Sequence, residues 1–226
     1  MRDIAIIRGM GVGNMQVIIM CGGNYKDFEK HKALSFIRGE VLVERTIRLL
    51  KENNITEWYI STNDPSFDKY GNILHHENNF EVVDGKPIGY WADAYYPTDK
   101  PTIYLHGDVY YTDEAMKKIL TLNPSVNTFI GNELARNKEH YNIGEPFGWI
   151  IIDQKSFREA IDKTRELQNE GKLERGFALS WEVYRVMNNL DPNKMYILDE
   201  SYLSIDDSTI DVDYPEQIEM VNNGLR

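Results

Sequence analysis

The chain has 226 residues, 42% of them hydrophobic, enough for one α/β domain with a sizeable core. Thirty-six acidic residues against 25 basic give a net charge of −11, which argues against a general nucleic-acid binder or a protein of anionic membrane surfaces. The single Cys21 excludes an intrachain disulfide framework and is compatible with a reducing, cytoplasmic setting, and no apolar run is long enough to span a membrane.

Residues 1–14 read as an extension. The patch Ile4-Ala5-Ile6-Ile7 is followed by Gly9, Gly11 and Gly13, too many glycines for a regular element and the wrong spacing for a dinucleotide fingerprint. The functional domain is therefore expected to occupy 15–226. Gln16–Met20 reads as its first strand, Glu40–Asn54 as an amphipathic helix ended by Asn53-Asn54, and Glu57–Thr62 as a second strand. Thr102–Leu105, bounded by Pro101 and Gly107, reads as a buried strand. A helix over Asp113–Leu120 follows, with Thr112 as its N-cap. Thr128–Ile130, Gly148–Ile152 and Met195–Leu198 are further predicted strands, and Ser156–Gln168, Phe177–Asn189 and Pro215–Asn223 further helices. This alternation predicts a single Rossmann-like α/β domain, a mostly parallel mixed sheet with helices on both faces.

In open α/β sheets ligands bind at the carboxyl ends of the strands, so Asp108, just past such a strand, is placed to offer its carboxylate to Mg²⁺. A second acidic group, Asp211 and Asp213, precedes a helix begun by Pro215. Asp213 has a competing assignment as that helix's cap, because Tyr214 lacks a capping oxygen.

Taken in order, Val17-Ile18-Ile19-Met20-Cys21-Gly22-Gly23, Lys32-Ala33-Leu34, Gly39-Glu40-Val41-Leu42, Gly107-Asp108 and Asp211-Val212-Asp213-Tyr214-Pro215-Glu216 resemble the signature of the nucleotidyltransferase superfamily. That superfamily includes sugar-1-phosphate, phosphocholine and molybdenum-cofactor nucleotidyltransferases, and the resemblance spans most of residues 15–223. It implies an enzyme that joins a nucleoside triphosphate, CTP first, to a phosphorylated small molecule and releases pyrophosphate with Mg²⁺ as cofactor. Cys21, Gly22 and Gly23 would bring backbone N–H groups to the nucleotide. Lys32 matches the family's lysine, which would neutralise charge on the α-phosphate. Lys26 is the stand-in for the loop's arginine, because Tyr25 and Asp27 replace the usual glycine and arginine. By the resemblance, Asn63, Gly89 and Ala92 would lie near base and ribose, and Glu145, Trp149 and Trp181 near the acceptor. Aromatic and acidic groups together would suit the quaternary amine of phosphocholine, although Trp181 and Tyr184 also share a helical spacing typical of core.

Molybdenum-cofactor-type guanylyl transfer is the nearest alternative. A sugar-nucleotide-dependent glycosyltransferase and a non-catalytic nucleotide-binding relative are the others, and homo-oligomerisation stays open. The boundary at Met15 is directly testable. A chain beginning there is expected to melt, and to turn over substrate, as the full chain does, since glycines favour disorder ahead of it. Collapse on truncation would make Ile4–Ile7 an integral strand.

Overall fold

A computed structural model describes residues 15–23, 28, 30–132 and 144–224. Strand β1 (Gln16–Met20) is followed by a short hairpin, β2 (Phe36–Ile37) and β3 (Glu40–Val41), that leads into helix α1 (Leu42–Glu52). Next come β4 (Trp58–Ser61), β5 (Ile73–Leu74), a second hairpin of β6 (Glu81–Val83) and β7 (Lys86–Ile88), then β8 (Thr102–His106) and β9 (Val109–Tyr110). The remainder is α2 (Asp113–Thr121), β10 (Thr128–Asn132), β11 (Pro146–Ile151), α3 (Gln154–Asn169), α4 (Ser180–Met187), β12 (Tyr202–Ile205), β13 (Ile210–Asp211) and α5 (Pro215–Asn222).

Seven strands form one sheet in the order β12-β10-β11-β8-β1-β4-β5. β1 is parallel to both β4 and β8, and β10 is parallel to β12, while β11 runs antiparallel to its two neighbours. This is a Rossmann-like α/β domain, a mostly parallel mixed sheet with helices on both faces. Side chains alternate across a strand, so β1 splits its apolar residues between the two faces. Val17 and Ile19 join Val43, Ile47 and Leu50 of α1 and Met116 and Ile119 of α2. Ile18 and Met20 join Phe157 and Ile161 of α3 and Trp181 and Tyr184 of α4. Each fully buried Ile or Val contributes roughly 1.5–3 kcal/mol, so the strand is fixed from both sides. Among the described residues no helix is long and apolar enough to cross a membrane.

The predicted helices all form, with shifted ends. Thr112 caps α2 as expected, its Oγ1 accepting the Ala115 N–H at 3.0 Å. One strand assignment is corrected. Met195–Leu198 is not a strand: Tyr196 is exposed, and Leu198 instead starts a 3-10 turn over Asp199–Ser201. The strand at that end of the sheet is β12, four residues later, with every side chain buried.

β11 can lie against β8 only because Gly148 has no side chain. Gly148 pairs with Leu105 and has φ +152, and a Cβ there would sit 2.1 Å from the Tyr104 carbonyl oxygen. Gly148→Ala is expected to cost about 3 kcal/mol, since backbone rather than a flexible side chain must yield. Urea unfolding checks this, and an unchanged midpoint would contradict the close approach.

Candidate active site

β1 and β8 end side by side, with Met20 opposite His106, so both chains leave the sheet at the same place. There Gly107 donates its N–H to the Met20 carbonyl at 3.0 Å. A Cβ at Gly107 would fall 2.4 Å from Cys21 Sγ and 2.7 Å from the Met20 oxygen. Gly107 therefore lets the chain turn directly from the strand into Asp108. β9 then pairs antiparallel with β13, placing Val109 opposite Asp211, and the Val212 N–H reaches the Asp108 carbonyl at 3.1 Å. That ladder brings Asp211 and Asp213 beside Asp108. Lys32 opens a 3-10 turn, Lys32–Leu34, capped by His31, whose Nδ1 accepts the Ala33 N–H. Its Nζ lies 3.1 Å from Asp213 Oδ1 and 3.6 Å from Asp108 Oδ2.

Lys32 is a buried cation. Burial alone would lower its pKa, but Asp108, Asp213 and Asp211 outweigh that and hold the ammonium's pKa above its ordinary value. Asp211 behaves in the opposite way. Burial, then the charges of Asp108 and Asp213, push its carboxyl well above the usual range despite Lys32. Its backbone N–H donates to Glu145 Oε2 at 3.2 Å, and burial raises the Glu145 pKa as well. The competing capping role of Asp213 is taken by another residue. Gln217 Oε1 accepts the N–H groups of Asp213 and Tyr214 at 2.5 and 2.8 Å, so the Asp213 carboxylate turns to Lys32 instead.

Among the described residues no group of three or more His, Cys, Asp or Glu side chains is arranged to hold a metal unaided. Mg²⁺ asks for less, one or two carboxylates with phosphate oxygens and water completing the octahedron. Asp108 and Asp213 converging on one ammonium, with the buried Asp211 Oδ1 lacking a hydrogen-bond partner among the described residues, fit such an ion.

Lys32, Asp108, Asp211 and Asp213 line a cavity of about 330 Å³ that is also lined by His106, Arg175, Ser180 and Trp181. A smaller hollow, about 230 Å³, is lined by Cys21, Gly22, Gly23, Asn63 and Asp64. The two meet at Gly22 and Asn78, which border both, with Asn78 Nδ2 donating to the Gly22 carbonyl at 3.2 Å. The Cys21 thiol is fully buried and its pKa is pushed up by that burial, so the residue offers backbone rather than a thiolate.

The structure thus gathers Lys32, Asp108, Asp211, Asp213, Cys21, Gly22, Gly23, Asn63 and Trp181 around two joined hollows. Other sequence-derived candidates lie elsewhere. Trp149 is a correction: it is fully buried in the aromatic core, its Nε1 donating to the Tyr95 hydroxyl at 2.8 Å, because its strand position faces α3 and α4. Ala92 lines a separate groove with Arg158 and Arg165, and exposed Gly89 packs on the Asn79 backbone. Glu145 supports Asp211 and does not line the cavity. Lys26 lies outside the described residues. Asn78 and Arg175 were not singled out from the sequence, whereas His106 opens the His106-Gly107-Asp108 stretch and Ser180 belongs to the Leu179–Tyr184 stretch that the resemblance gives to the acceptor side.

The fold has solved counterparts. A Bacillus anthracis protein provisionally assigned as a glucose-1-phosphate thymidylyltransferase shares it at TM-score 0.53 and 12% identity, over 94% of this chain and 95% of that one. The inositol-1-phosphate CTP transferase of T. maritima gives 0.51 and 12%, over 94% and 98%. A CMP:2-keto-3-deoxy-manno-octonic acid synthetase complexed with CTP gives 0.52 and 16%, over 93% and 97%. The chain shares the fold of these three proteins. No protein-family model matches it, and no curated protein matches it in sequence.

Because Gly107 sets where Asp108 stands, Gly107→Ala is expected to damage the site as well as the fold. The added methyl meets Met20 backbone and the buried Cys21, so the end of β8 must shift, lowering stability by about 1–3 kcal/mol. Thermal melting and nucleotide binding on one preparation check this. Unchanged values for both would show that the turn tolerates a side chain.

Proposed function

We propose that the chain is a Mg²⁺-dependent nucleotidyltransferase that joins a nucleoside triphosphate to a phosphorylated small molecule, either a sugar phosphate or phosphocholine, and releases pyrophosphate. One observation carries the reading. A buried lysine, held between two aspartates from distant segments, stands at the carboxyl edge of the sheet beside a glycine pair. CTP is the favoured nucleotide, in keeping with the cytidylyl chemistry in the names of two proteins that share the fold.

In this reaction an acceptor phosphate oxygen forms a bond to the α-phosphorus while the bond to the bridging oxygen of the β-phosphate breaks, and pyrophosphate leaves with that electron pair. Two anions must approach, so the barrier is lowered by alignment and by charge neutralisation, without a covalent enzyme intermediate. Lys32 neutralises the α-phosphate as charge grows there. Asp108 and Asp213, with Asp211 behind them, would hold the Mg²⁺, which when bound polarises the phosphate oxygens. Gly22 and Gly23 offer the triphosphate an approach free of side chains, and the hollow by Asn63 suits base or ribose. Arg175 also lines the larger cavity and would add a second cation there.

Pyrophosphate release from nucleoside triphosphates paired with phosphorylated acceptors tests the reaction. Lys32→Met keeps much of the stem and deletes the charge. It is expected to lower turnover about 10²–10³-fold with a smaller loss of nucleotide affinity, since the lysine acts chiefly on the transition state. Asp108→Asn should act similarly while leaving the circular dichroism spectrum intact, and Asp213→Asn should cost more turnover than Asp211→Asn. Tight triphosphate binding without pyrophosphate from any acceptor, with Lys32→Met changing binding alone, would replace the enzyme by a nucleotide-binding regulator.

A further inference from the structure

Helix α5 starts without a side-chain cap at the usual place. Pro215 is its first residue, and Tyr214 before it makes no capping hydrogen bond. The third helical residue is Gln217, and its side chain folds back over the start of the helix. Its Oε1 accepts the N–H of Asp213 at 2.5 Å and the N–H of Tyr214 at 2.8 Å. Both partners are donors, so the amide oxygen, with its two lone pairs, is the atom that faces them.

Those two N–H groups flank the Asp213 α-carbon. One acceptor shared between them restrains φ and ψ of Asp213 together, and this sets the direction in which the side chain leaves. Such a restraint is needed here. The Asp213 side chain is 53% exposed, against 9% for Lys32. An exposed carboxylate gains little from an ion pair and loses rotamer freedom in making it, so Lys32 alone is a weak reason for Asp213 to point inward.

Gln217 stands on a fixed base. At the far end of α5, Arg38 donates its backbone N–H to Asn222 Oδ1 at 2.6 Å and its Nε to the Val221 carbonyl at 3.0 Å, and Val221 is buried in one cluster with Ile37 and Val212. Gln217 lines neither of the two joined hollows, so its influence on the site passes through Asp213.

We propose that Gln217 is a positioning residue: its amide oxygen presets the Asp213 carboxylate toward Lys32 and Asp108, and as a neutral group it adds no further charge to an acidic pocket. This rests on the Mg²⁺-dependent reading for what Asp213 holds.

Binding of Mn²⁺ to the full chain tests it, read as loss of the free ion's paramagnetic resonance signal, with non-hydrolysable analogues of CTP, UTP, GTP and ATP. Gln217→Leu keeps much of the size and removes the acceptor, and is expected to weaken Mn²⁺ binding about tenfold or more. Gln217→Glu keeps an oxygen for both N–H groups and is expected to retain most of the affinity. Gln217→Ala repeats the first comparison should the leucine variant misfold. Two further variants separate positioning from capping. Asp153→Ala removes the cap of α3, where Asp153 Oδ1 accepts the Lys155 and Ser156 N–H groups, and is expected to lower the melting temperature while leaving Mn²⁺ binding unchanged. In an Asp213→Asn background Gln217→Leu is expected to add little, because the carboxylate it aims is gone. Unchanged affinity in both truncations of Gln217, equal weakening by Gln217→Glu or by Asp153→Ala, or a full further loss in the Asp213→Asn background overturns the inference and leaves the metal reading standing. A wild type that takes up no Mn²⁺ with any of these nucleotides overturns both.

Discussion

The site depends on a two-residue ladder. Asp108 and the late aspartates are about a hundred residues apart in sequence, and the pairing of Val109 with Asp211 and Tyr110 with Ile210 is what places them together. Val212 reinforces it twice, through its N–H on the Asp108 carbonyl and through its buried side chain, which packs with Ile37, Leu42, Tyr110 and Val221. That small cluster also receives β2 and the start of α1, so the segment that follows Lys32 is tied to the same point. Closing so long a loop costs conformational entropy, but the cost grows only logarithmically with length, and a compact apolar cluster can offset it. A short strand pair thereby decides where the charges stand.

Those charges are unbalanced. Asp108, Asp211 and Asp213 act on a single buried ammonium, and Glu145 adds a fourth acid behind Asp211. Burial disfavours every ionised form and holds the Asp211 carboxyl well above its ordinary pKa, whereas at Lys32 the charges of Asp108, Asp213 and Asp211 outweigh burial and hold the ammonium's pKa above its own. Such a pocket repels a triphosphate if nothing else enters, because a polyanion would meet acids before it met the lysine. A divalent cation carried in by the nucleotide reverses that sign, which is the physical support for the Mg²⁺ proposal and for a chain of net charge −11 handling phosphate at all. Nothing in the overall charge predicts this. It follows only when Asp108, Asp211 and Asp213 are seen to converge.

Much of the fold and part of the site were legible in the sequence, for identifiable reasons. Continuous apolar runs ended by glycine gave β1 and β8, and Asp108 followed from the rule that ligands gather at strand carboxyl ends. The Thr112 cap was readable because capping chemistry is local. β12 was missed because Met195-Tyr196-Ile197-Leu198 has as strong a strand composition as Tyr202–Ile205, and only long-range pairing with β10 chooses between them. Trp149 was misplaced because alternation along β11 gives two faces without saying which meets the cavity. Asn78 and Arg175 sit on loops with no period or motif, where position is set entirely by neighbours in space.

The aromatic core on the α3 and α4 face does more than fill volume. Trp181 is clamped edge-on by Phe129 at 4.6 Å and stacked by Tyr202, while Arg185, one turn along α4, pairs with Glu182 and donates to the Pro192 carbonyl at 2.7 Å. Glu182 in turn accepts the Leu179 N–H at 2.8 Å, fixing the start of the helix. Ser180 and Trp181 are the first residues of that helix, so their rotation about its axis is determined by packing behind them rather than by the ligand in front. Polar groups held this way lose little entropy on binding, and they reject a ligand that cannot pair with them because the wall cannot relax around it.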